Sequence, residues 1–144
     1  MIYPIPPGLF CIPSALCALT GRDPVAVITP ALNRHSKHQW LHDVVTAEFT
    51  HVAVAVLEEL GYYVRPYKDN AEGGQLRVTI KTWARRSAER WPGRTLLVTT
   101  AKHALVICDG TVYDTWEPMG RPGDQHPFSR TIVDWAALVE KKNA

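Results

Sequence analysis

The sequence has little that would tie the protein to a membrane or a nucleic acid. None of its apolar runs approaches the ~20 residues that a transmembrane helix needs. The formal net charge is +2, too small to indicate a nucleic acid or an anionic membrane as a partner. Residues 1–10 have no basic region and contain Pro4, Pro6 and Pro7, so we expect no signal peptide.

Cysteine is also scarce, since the chain has three cysteines and no Cys-x-x-Cys pair. An odd number at irregular spacing argues against a disulfide scaffold and favours a reducing compartment, so we expect a cytoplasmic protein. His35, His38 and His42 would share one face of a helix, which makes a metal-binding module the weakest of three functional hypotheses. Carboxylates that could orient these rings are sparse, so we expect no tightly bound metal and no other cofactor.

Composition and the order of elements predict one domain over residues 1–144. Of the 144 residues, 46% are hydrophobic and 21% charged, as in an ordinary globular domain with a sizeable core. Residues 1–10 are expected to form a Pro-rich arm along its surface. Helical patterns come first and strands later, which indicates an α+β fold.

Helix signals recur along the first two thirds of the chain. A short apolar helix begins near Cys11, with Pro13 in its first turn and Gly21 as its stop. Asp23-Pro24 predicts the start of a second short helix, broken near Pro30. Further predictions are helices over residues 46–60, 79–91 and, more weakly, 132–142, and a strand over residues 62–67.

Residues 94–118 predict three consecutive strands, over residues 96–100, 103–108 and 111–116. Asp109-Gly110 between apolar runs is a strong hairpin signal, and a two-residue loop sets the register. It places Cys108 opposite Thr111, Leu105 opposite Asp114, and His103 opposite Trp116. His103 and Asp114 then become diagonal neighbours on one face, within side-chain reach.

Cys11 is the candidate nucleophile for this pair, because a helix N-terminus favours a thiolate and its N–H groups can hold an oxyanion. Cys17 and Cys108 are expected in the core. Each residue also has a simpler interpretation without a catalytic role. A free cysteine is commonly buried in the core, and a His or Asp near a strand end is often exposed to solvent. The hypothesis of a Cys11, His103 and Asp114 catalytic triad depends on their coming together.

This order of Cys, His and Asp resembles the papain-like cysteine peptidase superfold. More narrowly, the chain resembles small phage-encoded and bacterial proteins related to the bacteriocin-processing peptidases. The matching segments are CIPSALCALTG, the helix and strand around residues 52–63, and GRTLLVTTAKHALVICDGTVYDT. The resemblance implies that the Cys-bearing helix packs on a small antiparallel sheet. It also implies that Cys11 is the nucleophile, His103 the general base and acid, and Asp114 the residue that orients His103.

One feature departs from this family. Papain-like enzymes place a Gln or similar side chain shortly before the Cys as an oxyanion donor, whereas residues 1–10 contain no amide side chain. Gln39 or Asn33 could supply a donor instead. Two main hypotheses follow: a thiol hydrolase or acyltransferase acting on a peptide or acyl-amide substrate, or a catalytically inactive phage-derived interaction protein that binds a host protein.

Overall fold

The computed structural model describes residues 2–36, 47–67 and 78–142, which form four α-helices and a six-stranded antiparallel sheet. The helices are α1 Cys11–Thr20, α2 Thr29–His35, α3 Ala47–Glu59 and α4 Ile80–Arg90. A π-helical turn, Pro24–Ile28, leads directly into α2, so Pro30 does not break this segment as expected. The strands are β1 Tyr62–Pro66, β2 Thr95–Thr99, β3 Ala104–Cys108, β4 Thr111–Tyr113, β5 Arg121–Pro122 and β6 Trp135–Lys141. The predicted α+β class is confirmed.

The helix ends follow the local sequence signals. Gly21 has a positive φ of 68° and its amide donates to the Cys17 carbonyl, which ends α1. Asp23 accepts hydrogen bonds from the amides of Val25 and Ala26. Thr79 caps α4 as predicted, by accepting from the Thr82 amide.

Strand β6 lies in the interior of the sheet, although it comes last in the chain. The order is β1-β6-β2-β3-β4-β5, and β6 pairs antiparallel with both β1 and β2. The prediction of a terminal helix over residues 132–142 was therefore wrong. Ala, Leu, Glu and Lys are good helix formers, but β1 and β2 bond both sides of this segment and its apolar residues are buried. Tertiary pairing overrides local propensity here.

The two faces of the sheet are covered by different helices. On one face α1 and α3 pack against Leu97, Ala104 and Val106. On the other face α4 packs against Leu96, Val98, Leu105 and Ile107. Because both faces are covered, β2 and β3 are nearly continuous apolar runs rather than alternating ones. Strand β3 is thus the central strand beneath the Cys-bearing helix.

Within the part of the chain that the structure describes, no single helix is long and apolar enough to cross a membrane. Helix α1 and the segment Pro24–His35 have that length and composition only when taken together, with a bend of 111° between them.

The β3–β4 turn offers a test of the fold that does not touch the candidate site. Asp109 and Gly110 both have positive φ, 49° and 81°, as a tight hairpin turn requires. Gly110→Ala should lower the free energy of unfolding by about 1–2 kcal/mol in urea titrations, because alanine is strained at this φ. A Cβ at Gly110 meets its neighbours only at ordinary distances of 3.6 Å and beyond, so sterics add little.

Asp109→Asn is the matched control. Asparagine tolerates the left-handed region and keeps an oxygen that can accept the Gly93 amide, as Asp109 does at 2.6 Å. Its stability should stay close to that of the parent protein. Equal losses in the two variants would contradict this account of the turn.

Candidate active site

The hairpin register is correct as far as Tyr113 and then departs from the prediction. Cys108 pairs with Thr111 and Val106 with Tyr113, as the turn requires. Beyond Tyr113 the strand ends, and the Asp114 amide donates to the Glu117 carbonyl instead. Asp114 therefore lies just outside the ladder, at the end of the sheet.

Asp114 has a fully buried side chain whose two oxygens have different partners. Oδ1 accepts from the amides of Trp116 and Glu117, at 3.0 and 2.8 Å, in a local turn after β4. Oδ2 lies 2.7 Å from Nε2 of His103 and 2.9 Å from Nε2 of His126. The local turn thus fixes the carboxylate and directs one oxygen toward two imidazole rings.

His103 immediately precedes β3, and its side chain is 13% exposed. Its carbonyl accepts from the Thr100 amide at 2.8 Å, which holds the turn between β2 and β3. The Cys11 thiol is near enough to the ring to contribute to the raised pKa of His103. Because Nε2 is directed to Asp114, Nδ1 is the nitrogen left to face the sulfur. The structure thus brings together all three residues that the sequence singled out.

The contacts of His103 set its charge. Burial works against the charged ring, but the hydrogen bonds and negative charges of Asp114 and Cys11 outweigh it and raise the pKa of His103 to about 9. Burial likewise opposes ionisation of Asp114. The hydrogen bonds from His103 and from the Glu117 amide overcome this effect and lower the pKa of the carboxyl group. Both shifts favour a charged imidazolium–carboxylate pair at neutral pH.

His126 is a member of the site that the sequence did not reveal. It lies between β5 and β6, twelve positions after Asp114, and no spacing rule connects the two. Its side chain is fully buried. The Phe128 amide donates to Nδ1 of the same ring at 3.0 Å. Only the folding of the loop back over Asp114 places this histidine in the site.

A groove of about 590 Å³ lies beside His103. Its lining includes Ile80 at the start of α4, the exposed Trp116, and Phe128. The Phe128 ring is 5.5 Å from the His103 ring and 5.8 Å from the Trp116 ring, measured between centroids. Cys11 is not among the residues that line the groove.

The other two thiols have different environments. Cys17 is buried in α1 as predicted, and burial, followed by the nearby Asp23 carboxylate, raises its pKa to about 11. Cys108 is only partly buried, so its prediction as a core residue was wrong. Burial and the adjacent Asp109 carboxylate raise the pKa of Cys108 as well. Both environments disfavour the reactive thiolate.

The histidine-rich segment is only partly described. His35 contacts Glu59, with 3.2 Å between ring nitrogen and carboxylate oxygen, and Arg34 pairs with the same carboxylate. His38, His42 and Gln39 lie outside the described residues. Within the described ranges, no group of three or more His, Cys, Asp or Glu side chains could hold a metal ion.

The charge of His103 gives a pH test. Its pKa is raised on folding, so its contribution to stability is complete below its ordinary value of 6.5 and disappears as the pH rises through about 9. The free energy of unfolding should fall by up to about 3 kcal/mol over that range. The Asp114 contribution has the opposite sign, since it is lost only as the pH falls below the ordinary value of 3.8.

His103→Ala is the control, and urea unfolding across the alkaline range is the measurement. This variant should be less stable at neutral pH but show a flatter decline toward pH 9. An identical decline in both proteins would mean that His103 is not the titrating group.

Comparisons with protein-family models, with curated proteins and with solved structures found no match to this chain.

Proposed function

We propose that the protein is a thiol hydrolase or acyltransferase of papain-like architecture, in which Cys11, His103 and Asp114 form the triad. The observation that carries this proposal is that the buried Asp114 carboxylate lies 2.7 Å from the His103 ring and that the Cys11 thiol is near enough to the same ring to influence its pKa. Three separate segments contribute one residue each, and the carboxylate is ionised and satisfied. A nucleophile, a base and a residue that orients the base are the components of covalent acyl transfer.

The chemistry follows from the charge state of the ring. A protonated His103 stabilises a thiolate on Cys11, and the sulfur attacks the carbonyl carbon of an amide or related acyl bond. His103 then gives its proton to the leaving nitrogen as the carbon–nitrogen bond breaks, which leaves a thioester on Cys11. Water or an amine attacks the thioester, His103 takes the proton of the attacking group, and the sulfur is released.

The first turn of α1 supports the negative oxygen that forms during this attack. Phe10 is the N-cap residue and makes no side-chain capping bond, and the first amide of the helix ladder is that of Ser14. The Cys11 amide lies before that ladder, at the positive end of the helix dipole. It is our candidate for the backbone donor to the oxyanion.

The groove beside His103 is suited to binding part of the substrate. His103 lines the groove, so a substrate held there lies against the ring that would transfer the proton. Trp116, Phe128 and Ile132 give it aromatic and aliphatic walls. We propose a peptide or acyl-amide substrate with an apolar group in this groove.

The second candidate is a binding module without catalysis. It is favoured by the lack of an amide side chain before Cys11 and by two exposed apolar side chains, Trp116 at 65% and Met119 at 91% exposure. Both side chains belong to the segment that follows Asp114. In this case the buried His and Asp would serve to hold that segment.

The reactivity of the three thiols tests the first candidate. Iodoacetamide should alkylate Cys11 at least about tenfold faster than Cys17 or Cys108 in the folded protein, because only Cys11 contacts an imidazolium. Peptide mapping by mass spectrometry gives the rate at each site. His103→Ala should lower the alkylation rate of Cys11 and leave the rates of Cys17 and Cys108 unchanged. Labelling of all three only after denaturation would contradict the proposal.

Acyl transfer from p-nitrophenyl acetate separates an enzyme from a binding module. The folded protein should gain one acetyl group at Cys11 and release nitrophenol with turnover. Cys11→Ala should abolish both while leaving stability nearly unchanged, whereas Cys108→Ala, the matched control, should keep both. Asp114→Asn should retain the fold and lose turnover by up to about 10⁴, because the wrong ring tautomer is then favoured. Turnover that persists in Cys11→Ala would end the enzyme proposal.

A further inference from the structure

Both nitrogens of the His126 ring have hydrogen-bond partners, and one of these partners is a backbone amide. The Phe128 amide can only donate, so Nδ1, at 3.0 Å, must accept and carries no proton. A neutral imidazole carries one ring N–H, which is then on Nε2. This nitrogen lies 2.9 Å from Oδ2 of Asp114. His126 is thus a neutral ring held in one tautomer by a backbone amide.

His103 and His126 share one carboxylate oxygen but differ in what they can do. The second nitrogen of His103 faces the Cys11 thiol, so this ring can hold and release a proton there. The second nitrogen of His126 faces a backbone N–H, and a proton on it would break that hydrogen bond. One ring is suited to proton transfer, and the other only to donating a constant hydrogen bond.

His126 also connects the carboxylate to the wall of the groove. Its carbonyl accepts from the Ser129 amide at 3.0 Å, and the Phe128 carbonyl accepts from the Thr131 amide at 2.9 Å. These turns hold Phe128 against both the His103 and the His126 rings, with centroids 5.5 and 5.7 Å away. Loss of the contact between His126 and Asp114 would release this wall and the carboxylate together.

We propose that His126 is a positioning residue of the site: its neutral ring holds the Asp114 carboxylate against His103 and fixes Phe128 over the His103 ring. His126 touches neither the thiol nor the groove, so it acts through Asp114 and His103. Its catalytic importance rests on the proposed function, whereas the positioning itself rests on the hydrogen bonds and can be measured without a substrate.

The first measurement uses the unaltered protein. Nitrogen-15 NMR of the histidine rings at neutral pH should show His126 with a protonated Nε2 and a bare Nδ1, and His103 with both nitrogens protonated. Assignment follows from His126→Gln, which removes one set of ring signals. The opposite tautomer at His126, or a doubly protonated His126 ring, would overturn the proposal.

The second measurement is the rate of Cys11 alkylation by iodoacetamide at neutral pH in two variants. His126→Phe keeps a buried ring and removes both hydrogen bonds, and the rate should fall at least about fivefold, an ordinary coupling within one network. His126→Gln restores a donor toward Asp114, and its rate should return to within about twofold of the parent protein. An unchanged rate in His126→Phe would contradict a positioning role.

A double variant shows whether His126 acts through His103. If it does, His103→Ala combined with His126→Phe should react no more slowly than His103→Ala alone. If the two substitutions instead lowered the Cys11 alkylation rate by the product of their separate effects, His126 would act independently of His103. Gly110→Ala is the matched control, because it destabilises the fold away from the site and should leave the Cys11 rate unchanged.

The two proposals can fail separately. Loss of Cys11 reactivity in His126→Phe with rescue by His126→Gln, in a protein that turns over no acyl substrate, would leave the positioning role intact and refute the enzyme. Turnover of p-nitrophenyl acetate that is undiminished in His126→Phe would refute the positioning role and leave the enzyme intact.

Discussion

The buried carboxylate of Asp114 is the constraint on which the candidate site depends. An ion of this kind costs several kcal/mol to bury unless its oxygens are fully paired. Four donors satisfy it: the Trp116 and Glu117 amides on one oxygen, and the His103 and His126 rings on the other. These donors come from the start of β3, the turn after β4, and the loop before β6. Satisfying one carboxylate therefore holds three segments of the chain in place.

The position of the site at the end of the sheet explains how His103 reaches Cys11. Within β3 the side chains alternate, so Ala104 faces α1 and Leu105 faces the α4 side. Continued alternation would turn residue 103 away from α1. His103 precedes the strand and ends a turn, so its ring is free of this rule and lies between the start of α1 and the groove near α4. The proposed triad is possible because His103 and Asp114 lie beyond the last paired residues.

The same architecture separates the three thiols chemically. Cys17 is buried within α1, and Cys108 is partly buried next to the Asp109 carboxylate, so burial raises both pKa values. Cys11 begins the helix and contacts an imidazole whose own pKa is raised to about 9. Burial, before neighbouring charge, disfavours the thiolate at Cys17 and Cys108, whereas Cys11 begins a helix beside an imidazole. A protein that required only packing would not need this arrangement, and this is the basis for preferring the catalytic proposal.

The sequence by itself determined the local features of the protein. Asp109-Gly110 specified the turn and the register through Tyr113, Gly21 and Thr79 marked helix ends, and the order of elements indicated an α+β fold. These signals are local, because φ preference and capping depend on neighbours in the chain. Tertiary structure decided the rest. Residues 135–141 form a strand because β1 and β2 pair with them on both sides. His126 lies in the site because its ring donates a hydrogen bond to the buried Asp114 carboxylate. Contacts between segments distant in the chain leave no periodic trace in the sequence, so only the folded protein could show them.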